Sequence, residues 1–217
     1  MSLTLVIGNK NYSSWSMRPW FAMKATGIAF SEIMVPIYRP ESKARLLGFS
    51  PSGKVPVLID GDVTVWDSLA IIEYVAELHP EAGLWPQDRA SRALARAVAA
   101  EMHSGFAALR GECGMNIHRP ARPQPLSEEA RANVARVQEL WGECRTRYGH
   151  LGPFLFGAIG AVDAMYAPVV WRFITYAVEV TPVARAYMEA MQGVPAWQEW
   201  RDAALAEQWV IERFESA

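Results

Sequence analysis

The chain has 217 residues, of which 51% are hydrophobic, and its formal net charge is −2. Such a chain can bury one large core or two small ones, and its charge balance excludes a global attraction to nucleic acid or anionic membranes. No apolar run is long enough to cross a bilayer, and the N-terminus shows no export signal. The two cysteines, Cys113 and Cys144, lie far apart without a C-x-x-C motif, so we expect a cytoplasmic protein without disulfides.

The first third of the chain alternates strand and helix patterns. A β-branched run at Leu3–Ile7 predicts a strand, and apolar spacing predicts a helix from about Trp15 to Thr26, which Gly27 can end. A second strand is predicted at Glu32–Ile37, and the polar segment 39–51 indicates a short irregular helix. This part of the chain therefore begins as β-α-β-α.

A hairpin and one more helix complete this pattern. The runs Val57–Ile59 and Val63–Trp66 flank the Asp-Gly-Asp turn at 60–62, which is typical of an antiparallel hairpin. Helical spacing follows over Ser68–Leu78, until the His-Pro pair at 79–80 ends it. The predicted order within the first domain, residues 1–80, is β-α-β-α-β-β-α.

The rest of the chain has almost no strand signal. A connection containing Pro and Gly follows residue 80, and the proline-rich stretch 118–125 predicts a surface loop. Five segments have apolar residues at helical spacing, and they are Asp88–Gly111, Ser127–Tyr148, Val162–Val178, Pro182–Gln192 and Trp197–Ala206. We therefore predict a second, all-helical domain over residues 88–217.

Four motifs occur along the chain in a defined order. They are KVPVL at 54–58, WDSLAI at 66–71, IIEYVAELHPEAGLWPQD at 71–88 and FLFGAIGAVDAMYAP at 154–168. In this order they resemble the glutathione S-transferase family over essentially the full chain. The resemblance implies an α/β thioredoxin-like N-terminal domain, an all-α C-terminal helical domain, glutathione as co-substrate and a cytoplasmic homodimer.

A proline lies within the third strand pattern, although proline cannot donate to a sheet ladder. The resemblance implies a cis peptide bond before Pro56, which would leave the amide and carbonyl of Val55 free to bind a peptide like an added strand. Lys54 belongs to the same predicted glutathione-binding set. Asp67 and Ser68, at a helix start, would hold the carboxylate and ammonium of the γ-glutamyl end. An edge-strand proline and a simple helix cap are the alternatives.

Serines cluster where the first helix is predicted to begin, in the loop NYSSWSMR at 11–18. A free thiol with a pKa of about 8.5 is mostly protonated at neutral pH, and a hydroxyl donor at a helix N-terminus stabilises its thiolate. The loop resembles the SSCSWR motif of zeta-class transferases, which places the activating serine at Ser13, with Ser14 next. Trp15 replaces the motif's cysteine, which disfavours isomerase, peroxidase and thiol-disulfide chemistry. Helix capping is the alternative role of both serines.

The second domain is expected to supply a wall for the electrophile. His103, Phe106 and Arg110 recur at roughly helical spacing, and together with Trp15 they form the predicted electrophile pocket. Each of them could equally be an ordinary core or surface residue. In the family an acidic helix residue of the partner subunit reaches the glutathione amine, and Glu101 is the candidate for that contact. The four histidines show no ligand spacing, so we predict no metal site.

Asp163 resembles the buried acid of the family's helix-start motif. In that motif a Ser or Thr caps the helix three residues earlier, whereas this chain has Gly160. A glycine cap costs only a few tenths of a kcal/mol relative to serine. We therefore expect Asp163 to accept a hydrogen bond from the backbone N–H of Gly160 and to have a structural role.

These observations favour a glutathione S-transferase that conjugates the glutathione thiolate to a small hydrophobic electrophile. One alternative is a non-catalytic binding or assembly module with the same fold. Another is a glutathione-dependent isomerase of the zeta type, which the retained Ser13-Ser14 pair supports. The fold cannot separate these functions, because function depends on the site.

Overall fold

The computed structural model describes residues 3–215, so the predicted domain limits at residues 1 and 217 lie outside it. Within this range the strands are β1 (Thr4–Ile7), β2 (Ser31–Met34), β3 (Val57–Asp60) and β4 (Val63–Trp66). They form one sheet in the order β2-β1-β3-β4. β1 is parallel to β2 and antiparallel to β3, and β3 is antiparallel to β4.

Nine α-helices lie within the described residues. They are α1 (Ser14–Ala25), α2 (Ser42–Leu47), α3 (Ser68–Leu78), α4 (Arg89–Ser104), α5 (Ala107–Glu112), α6 (Glu128–Tyr148), α7 (Ala161–Thr175), α8 (Pro182–Gln192) and α9 (Pro195–Leu205). The strands and the first three helices follow the order β-α-β-α-β-β-α, and α4 to α9 form a helical half. This is the fold class that the sequence predicts. No helix in the described range is both long and apolar enough to cross a membrane.

Prolines set the limits of two strands. Pro56 stands immediately before β3, and its peptide bond with Val55 is cis, as predicted. Because Pro56 lies outside β3, its lack of an N–H removes no hydrogen bond from the pairing of that strand. β2 ends at Met34 rather than at the predicted Ile37, since Pro36 has no N–H to continue the pairing.

The predicted helix Asp88–Gly111 is in fact two helices. Between α4 and α5, Phe106 has a φ of 60°, in the left-handed region. Gly105 precedes it, and a Cβ at that position would lie 2.7 Å from the carbonyl oxygen of Glu101. The prediction of one helix was wrong because the apolar residues keep their helical spacing across residues 105–106, where the backbone turns, so the spacing alone does not reveal the break. The break brings Gly105 and the start of α5 to the cavity described below.

One apolar core joins the sheet to the helical half, because α1 packs against α3 and also against α7 and α9. Indole rings dominate this junction. Trp20 of α1 lies 5.0 Å from Trp200 of α9, and Trp171 of α7 stacks on Trp197 of α9 at 4.6 Å between ring centroids. Aromatic pairs of this kind contribute about 0.5–1.5 kcal/mol beyond the area they bury. The packing holds the start of α1 beside α7.

Candidate functional site

A cavity of about 950 Å³ opens between the sheet side and the helical half. Its walls come mainly from the start of α1, α2 and the loop before it, the residues before β3, and α5. Among the described lining residues there is no carboxylate side chain, whereas six are cationic. These are Arg39, Lys43, Lys54, Arg110, Arg172 and Arg213. The electrostatic potential of the cavity therefore favours an anionic ligand.

The start of α1 brings both predicted serines to this cavity. Ser13 is the N-cap, and its Oγ accepts a hydrogen bond from the backbone N–H of Ser16 at 3.3 Å and donates to Ser16 Oγ at 2.7 Å. Ser16 Oγ also accepts from the backbone N–H of Gly8 at 3.0 Å. Ser13 is buried and Ser14 is half-buried. The capping role of Ser13 is thus present in the structure.

Ser14 contacts the helical half through Arg172 of α7. The Nη2 atom of Arg172 donates to Ser14 Oγ at 3.3 Å, while Nη1 donates to the carbonyl oxygens of Arg110 and Cys113. Arg172 is 6% exposed, and no ion pair within residues 3–215 includes it. Burial, with a smaller effect from the charge of Arg110, lowers the pKa of Arg172 to about 10. The guanidinium therefore remains a cation at neutral pH.

Trp15 is held between two guanidinium groups. The guanidinium carbons of Arg18 and Arg110 lie 4.2 Å and 4.7 Å from the centre of its ring. Such stacking offsets part of the cost of burying an arginine. Burial, followed by the charges of Arg110 and Arg172, lowers the pKa of Arg18 to about 9. Trp15 and Arg110 both line the cavity, and the stack fixes the indole ring there.

The residues before β3 form the opposite wall. Lys54 and Val55 line the cavity, whereas Pro56 does not. Within residues 3–215, neither the N–H nor the carbonyl of Val55 bonds another backbone group. The N–H of Lys54 donates to Ser52 Oγ at 3.2 Å. The N–H and carbonyl of Val55 can therefore form hydrogen bonds with an extended peptide, as they would with an added strand.

Asp67 and Ser68 lie at the start of α3 and are not part of the cavity lining. The Oδ1 atom of Asp67 accepts hydrogen bonds from the backbone N–H groups of Leu69 at 2.9 Å and Ala70 at 3.2 Å. Its Oδ2 atom lies 3.2 Å from Nε2 of His103. Ser68 is fully buried, and its Oγ accepts from Nη1 of Arg18 at 3.4 Å. The capping alternative is present, and a role in glutathione binding stays a prediction.

The other predicted site residues also lie outside the cavity lining. The His103 ring contacts the Trp15 ring edge-on at 5.4 Å between centroids, and burial lowers the pKa of His103 below its ordinary value. Phe106 is buried in the core. Glu101 pairs with Arg136 of the same chain at 2.8 Å and 3.1 Å. Its predicted contact with a partner subunit stays a prediction.

The segment after α9 contributes side chains that the sequence analysis did not identify. The Arg213 guanidinium stacks on the Tyr38 ring at 3.8 Å and donates to its hydroxyl at 2.6 Å. The Phe214 ring lies 5.7 Å from the Tyr12 ring, and the Tyr12 hydroxyl donates to Glu215 at 2.5 Å. Tyr12, Tyr38, Arg213 and Phe214 all line the cavity. No periodic pattern marks this segment in the sequence.

The start of α7 borders a smaller cavity of about 200 Å³, but its acidic side chain is buried. Asp163 accepts from the backbone N–H of Gly160 at 2.9 Å and from that of Leu155 at 3.1 Å, so its predicted contact is confirmed. A Cβ on Gly160 would lie 2.8 Å from the carbonyl oxygen of Leu84, which explains why glycine occupies this cap. Asp163 is 1% exposed, and burial raises its pKa to about 6. Its contacts are internal and structural.

Neither cysteine is placed to act as a nucleophile. Cys113 and Cys144 are buried free thiols, and burial raises their pKa values to about 11 and about 12. Over residues 3–215, no group of three or more His, Cys, Asp or Glu side chains is arranged to hold a metal ion. The polar groups that the cavity offers are hydroxyls, cations and backbone groups.

Arg172 is the cavity residue that the sequence analysis should have singled out. It is the single cation of α7, a helix whose side chains are almost all buried and mostly apolar. Burying a charge without a partner is costly, so an isolated cation in an apolar helix indicates a functional constraint. The signal was the interrupted hydrophobic run AMYAPVVWRF.

Comparison with known protein families gives two matches that together span both halves of the fold. The description "Glutathione S-transferase, N-terminal domain" matches residues 12–78. The description "Glutathione S-transferase, C-terminal domain" matches residues 92–203. The second match alone covers more than half of the chain.

Individual proteins show the same similarity. A glutathione S-transferase 1 from Dianthus caryophyllus is 30% identical over 168 residues, which span 75% of this chain and 74% of the relative. A probable maleylacetoacetate isomerase from Caenorhabditis elegans is 38% identical over 94 residues, 43% of this chain and 42% of the relative. The crystal structure of a glutathione transferase homolog from Burkholderia gl BGR1, with bound glutathione, has a TM-score of 0.72 and 25% identity, covering 95% of this chain and 100% of that chain.

Proposed function

Because the chain belongs to the glutathione S-transferase family, we propose that it conjugates the thiolate of glutathione to a small hydrophobic electrophile. The observation that carries this proposal is a single cavity lined by the Ser13 and Ser14 hydroxyls and by the unpaired backbone of Val55. The serines offer donors to a sulfur atom, and Val55 offers a donor and an acceptor to a peptide.

The charge of the cavity supports glutathione as the bound thiol. Glutathione carries two carboxylates and one ammonium, so its net charge is negative. The described residues that line the cavity include six cationic side chains and no carboxylate, and they therefore attract such a ligand. On the sheet side, Arg39, Lys43 and Lys54 are available to pair with a carboxylate. We assign the γ-glutamyl end to Asp67 and Ser68 at the start of α3, as the family resemblance implies.

Transfer requires the thiolate rather than the thiol. Lowering the pKa of a thiol by two, from about 8.5, takes about 2.7 kcal/mol of preferential thiolate stabilisation. One charge-assisted hydrogen bond together with the partial positive charge at the start of α1 can supply this amount. The thiol proton leaves to solvent, and the sulfur then forms a bond to the electrophilic carbon as the leaving group departs.

An apolar part of the same cavity is suited to the electrophile. Trp15, Ile37, Met115 and Phe214 line it, and they come from both halves of the fold. Pockets for small molecules generally combine such an apolar lining with a few placed polar groups. This arrangement supports a hydrophobic acceptor bound next to the serines.

Calorimetric titration with glutathione is the first test. We expect the wild type to bind glutathione and to bind its dialkyl ester, which lacks both carboxylates, at least about tenfold more weakly. Asp67→Asn should weaken glutathione binding. Asp88→Asn is the matched control, because Asp88 is also an N-cap whose carboxylate accepts a backbone N–H, and it does not belong to the predicted glutathione-binding set. No heat of binding with the wild type would remove the proposal.

Turnover separates catalysis from binding. With an aryl halide or an epoxide as acceptor, we expect the wild type to form the glutathione conjugate. Glutathione binding without an acid-shifted thiol and without turnover would instead support the non-catalytic module.

Glutathione-dependent isomerisation is the second candidate. The observation in its favour is the 38% identity of one stretch of this chain to a probable maleylacetoacetate isomerase. Against it stands Trp15, whose stacked indole occupies the place of the zeta motif's cysteine. Turnover of maleylacetone that requires glutathione but does not consume it would establish this activity in place of conjugation.

We further propose that the enzyme acts as a cytoplasmic homodimer, as the family resemblance implies. The proposed contact of Glu101 with the partner's glutathione must compete with its pairing to Arg136. Glu101→Gln should therefore weaken glutathione binding only if a dimer forms. Light scattering of the wild type, alongside calorimetry of this variant, tests both parts.

A further inference from the structure

We infer that the Ser14 hydroxyl, supported by the Arg172 guanidinium, donates the hydrogen bond to the glutathione thiolate, and that Ser13 serves as the cap of α1. The inference rests on the proposed function of this cavity. It identifies which of two adjacent serines contacts the sulfur, and it adds a positioning residue from the helical half.

Ser13 already uses its hydrogen-bonding capacity inside the protein. A hydroxyl can donate only one hydrogen bond. Ser13 donates to Ser16 Oγ and accepts from the Ser16 N–H, and Ser16 Oγ accepts in addition from the N–H of Gly8. Donation by Ser13 to a sulfur atom would require these bonds to rearrange at the cap of α1.

Ser14 has a free proton. Its Oγ accepts from Nη2 of Arg172 at 3.3 Å, and the hydroxyl donates to no group among residues 3–215. It is also the more exposed of the two serines, and it lines the cavity. A hydroxyl that accepts from a cation is polarised, which strengthens the hydrogen bond that it donates to an anion.

Among residues 3–215, Arg172 is a buried cation without an anionic partner. The charged and titratable groups that surround it are Arg18, Arg110, Cys113 and Tyr176, and none of them is a carboxylate. Its Nε atom is buried and has no hydrogen-bond partner among the described residues. Since a buried charge is costly when unpaired, a thiolate bound beside Ser14 would lower that cost.

The fold holds this guanidinium in place. Its Nη1 atom is fastened to the carbonyls of Arg110 and Cys113, and α7 packs directly against α1. The contact between Ser14 and Arg172 therefore exists before any ligand binds. A preorganised donor of this kind is more effective at stabilising an anion than one that must reorient.

The experiment measures the pKa of the thiol of bound glutathione from its ultraviolet thiolate absorbance. In the wild type we expect a pKa at least about one below the free value of about 8.5. In Ser14→Ala it should return to within about 0.5 of that value, while in Ser13→Ala most of the lowering should remain. Ser14→Thr, which keeps the hydroxyl, should restore the wild-type pKa.

Arg172 is tested with a matched arginine. Arg172→Met should raise the pKa of the bound thiol by about one. Arg92→Met is the control, because Arg92 also donates to two backbone carbonyls but lies outside the cavity, and it should leave the pKa unchanged. If Arg172→Met fails to fold, Ser14→Ala and Ser14→Thr still decide which serine contacts the sulfur, and Arg172→Lys tests the support: it keeps a cation but not the guanidinium fork, and it should raise the pKa of the bound thiol by a smaller amount than about one.

Kinetics add a readout that a structural role would not change. In Ser14→Ala, kcat/KM should fall at pH values below the pKa of the free thiol and recover as the pH rises above it. Loss of the acid shift in Ser13→Ala but not in Ser14→Ala would overturn the inference and would mean that Ser16 donates to Ser13. No glutathione binding by the wild type would overturn the proposed function itself.

Discussion

The starts of α1 and α7 are both capped helix N-termini, yet their surroundings are opposite. At α7, Asp163 is 1% exposed and accepts from two backbone N–H groups, so its oxygens are satisfied within the protein. At α1, Ser13 caps the helix, but the adjacent Ser14 opens onto a cavity of about 950 Å³ and has Arg172 behind it. Of the two, only the start of α1 leaves a hydrogen-bond donor and a positive charge for a ligand.

The comparison shows that a capping pattern in the sequence does not distinguish a structural from a chemical role. At α1 the N-cap Ser13 accepts a backbone N–H with its own side chain, and at α7 the N-cap is Gly160, whose N–H donates to Asp163 three residues later. A cavity borders each start, of about 200 Å³ at α7 and about 950 Å³ at α1. What differs is whether the hydrogen-bonding groups there remain unused after folding: the Asp163 oxygens accept from two backbone N–H groups, whereas the Ser14 hydroxyl donates to no group among residues 3–215. Four changes, from the largest expected effect to the smallest, test this difference.

Asp163→Ala should have the largest effect on stability. It leaves the buried N–H groups of Leu155 and Gly160 without an acceptor, and we expect the free energy of unfolding to fall by about 3 kcal/mol. Denaturant titration measures this change. Asp202→Ala, at an exposed site on α9, is the control and should change it by less than about 0.5 kcal/mol. A loss below about 1 kcal/mol for Asp163→Ala would contradict the structural role.

The protonation of Asp163 should make stability depend on pH. Burial raises its pKa from 3.8 to about 6, so the folded protein binds this proton more tightly than the unfolded chain does. The contribution is fully present below pH 3.8 and is lost as the pH rises through about 6. Relative to Asp163→Asn, the wild type should lose about 2 kcal/mol of unfolding free energy between about pH 4 and about pH 7. Parallel curves for the two proteins would be inconsistent with this assignment.

Gly160→Ala should destabilise the protein at the start of α7 by about 1–2 kcal/mol, because the new Cβ would lie 2.8 Å from the backbone oxygen of Leu84. Gly142→Ala provides a control with the opposite sign. Apart from the backbone of its own helix, no atom lies within 4 Å of the Cβ that would be added at Gly142, which is inside α6. This substitution should therefore stabilise the protein by about 0.5–1 kcal/mol. Thermal denaturation of both variants measures the contrast.

The smallest expected effects are at the open helix start. Ser13→Ala removes a cap and should cost about 1 kcal/mol, similar to Thr181→Ala at the cap of α8. Ser14→Ala removes no capping contact but takes one hydrogen-bond acceptor, at 3.3 Å, from the buried Arg172, so it should cost about 0.5 kcal/mol. Denaturant titration of the three variants tests the division of roles, because equal losses from the two serines would argue that both are structural.

Local rules accounted for much of the fold and for part of the site. The proline before β3, the turn between β3 and β4 and the contact of Asp163 with Gly160 each depend on residues that are close in sequence. Periodicity also identified most of the helices, but it did not report the turn at Phe106, where the backbone changes while the apolar spacing continues.

The sequence by itself determined the order of elements, the family resemblance and the placement of Ser13 and Ser14 at a helix start, because these depend on neighbouring residues and their propensities. Only the tertiary structure decided which polar groups remain unused. Arg172 lies 158 positions from Ser14 along the chain, and their contact exists because α7 packs on α1. Hydrogen-bond satisfaction and burial are properties of the folded molecule, and they are what distinguish a cap from a binding site.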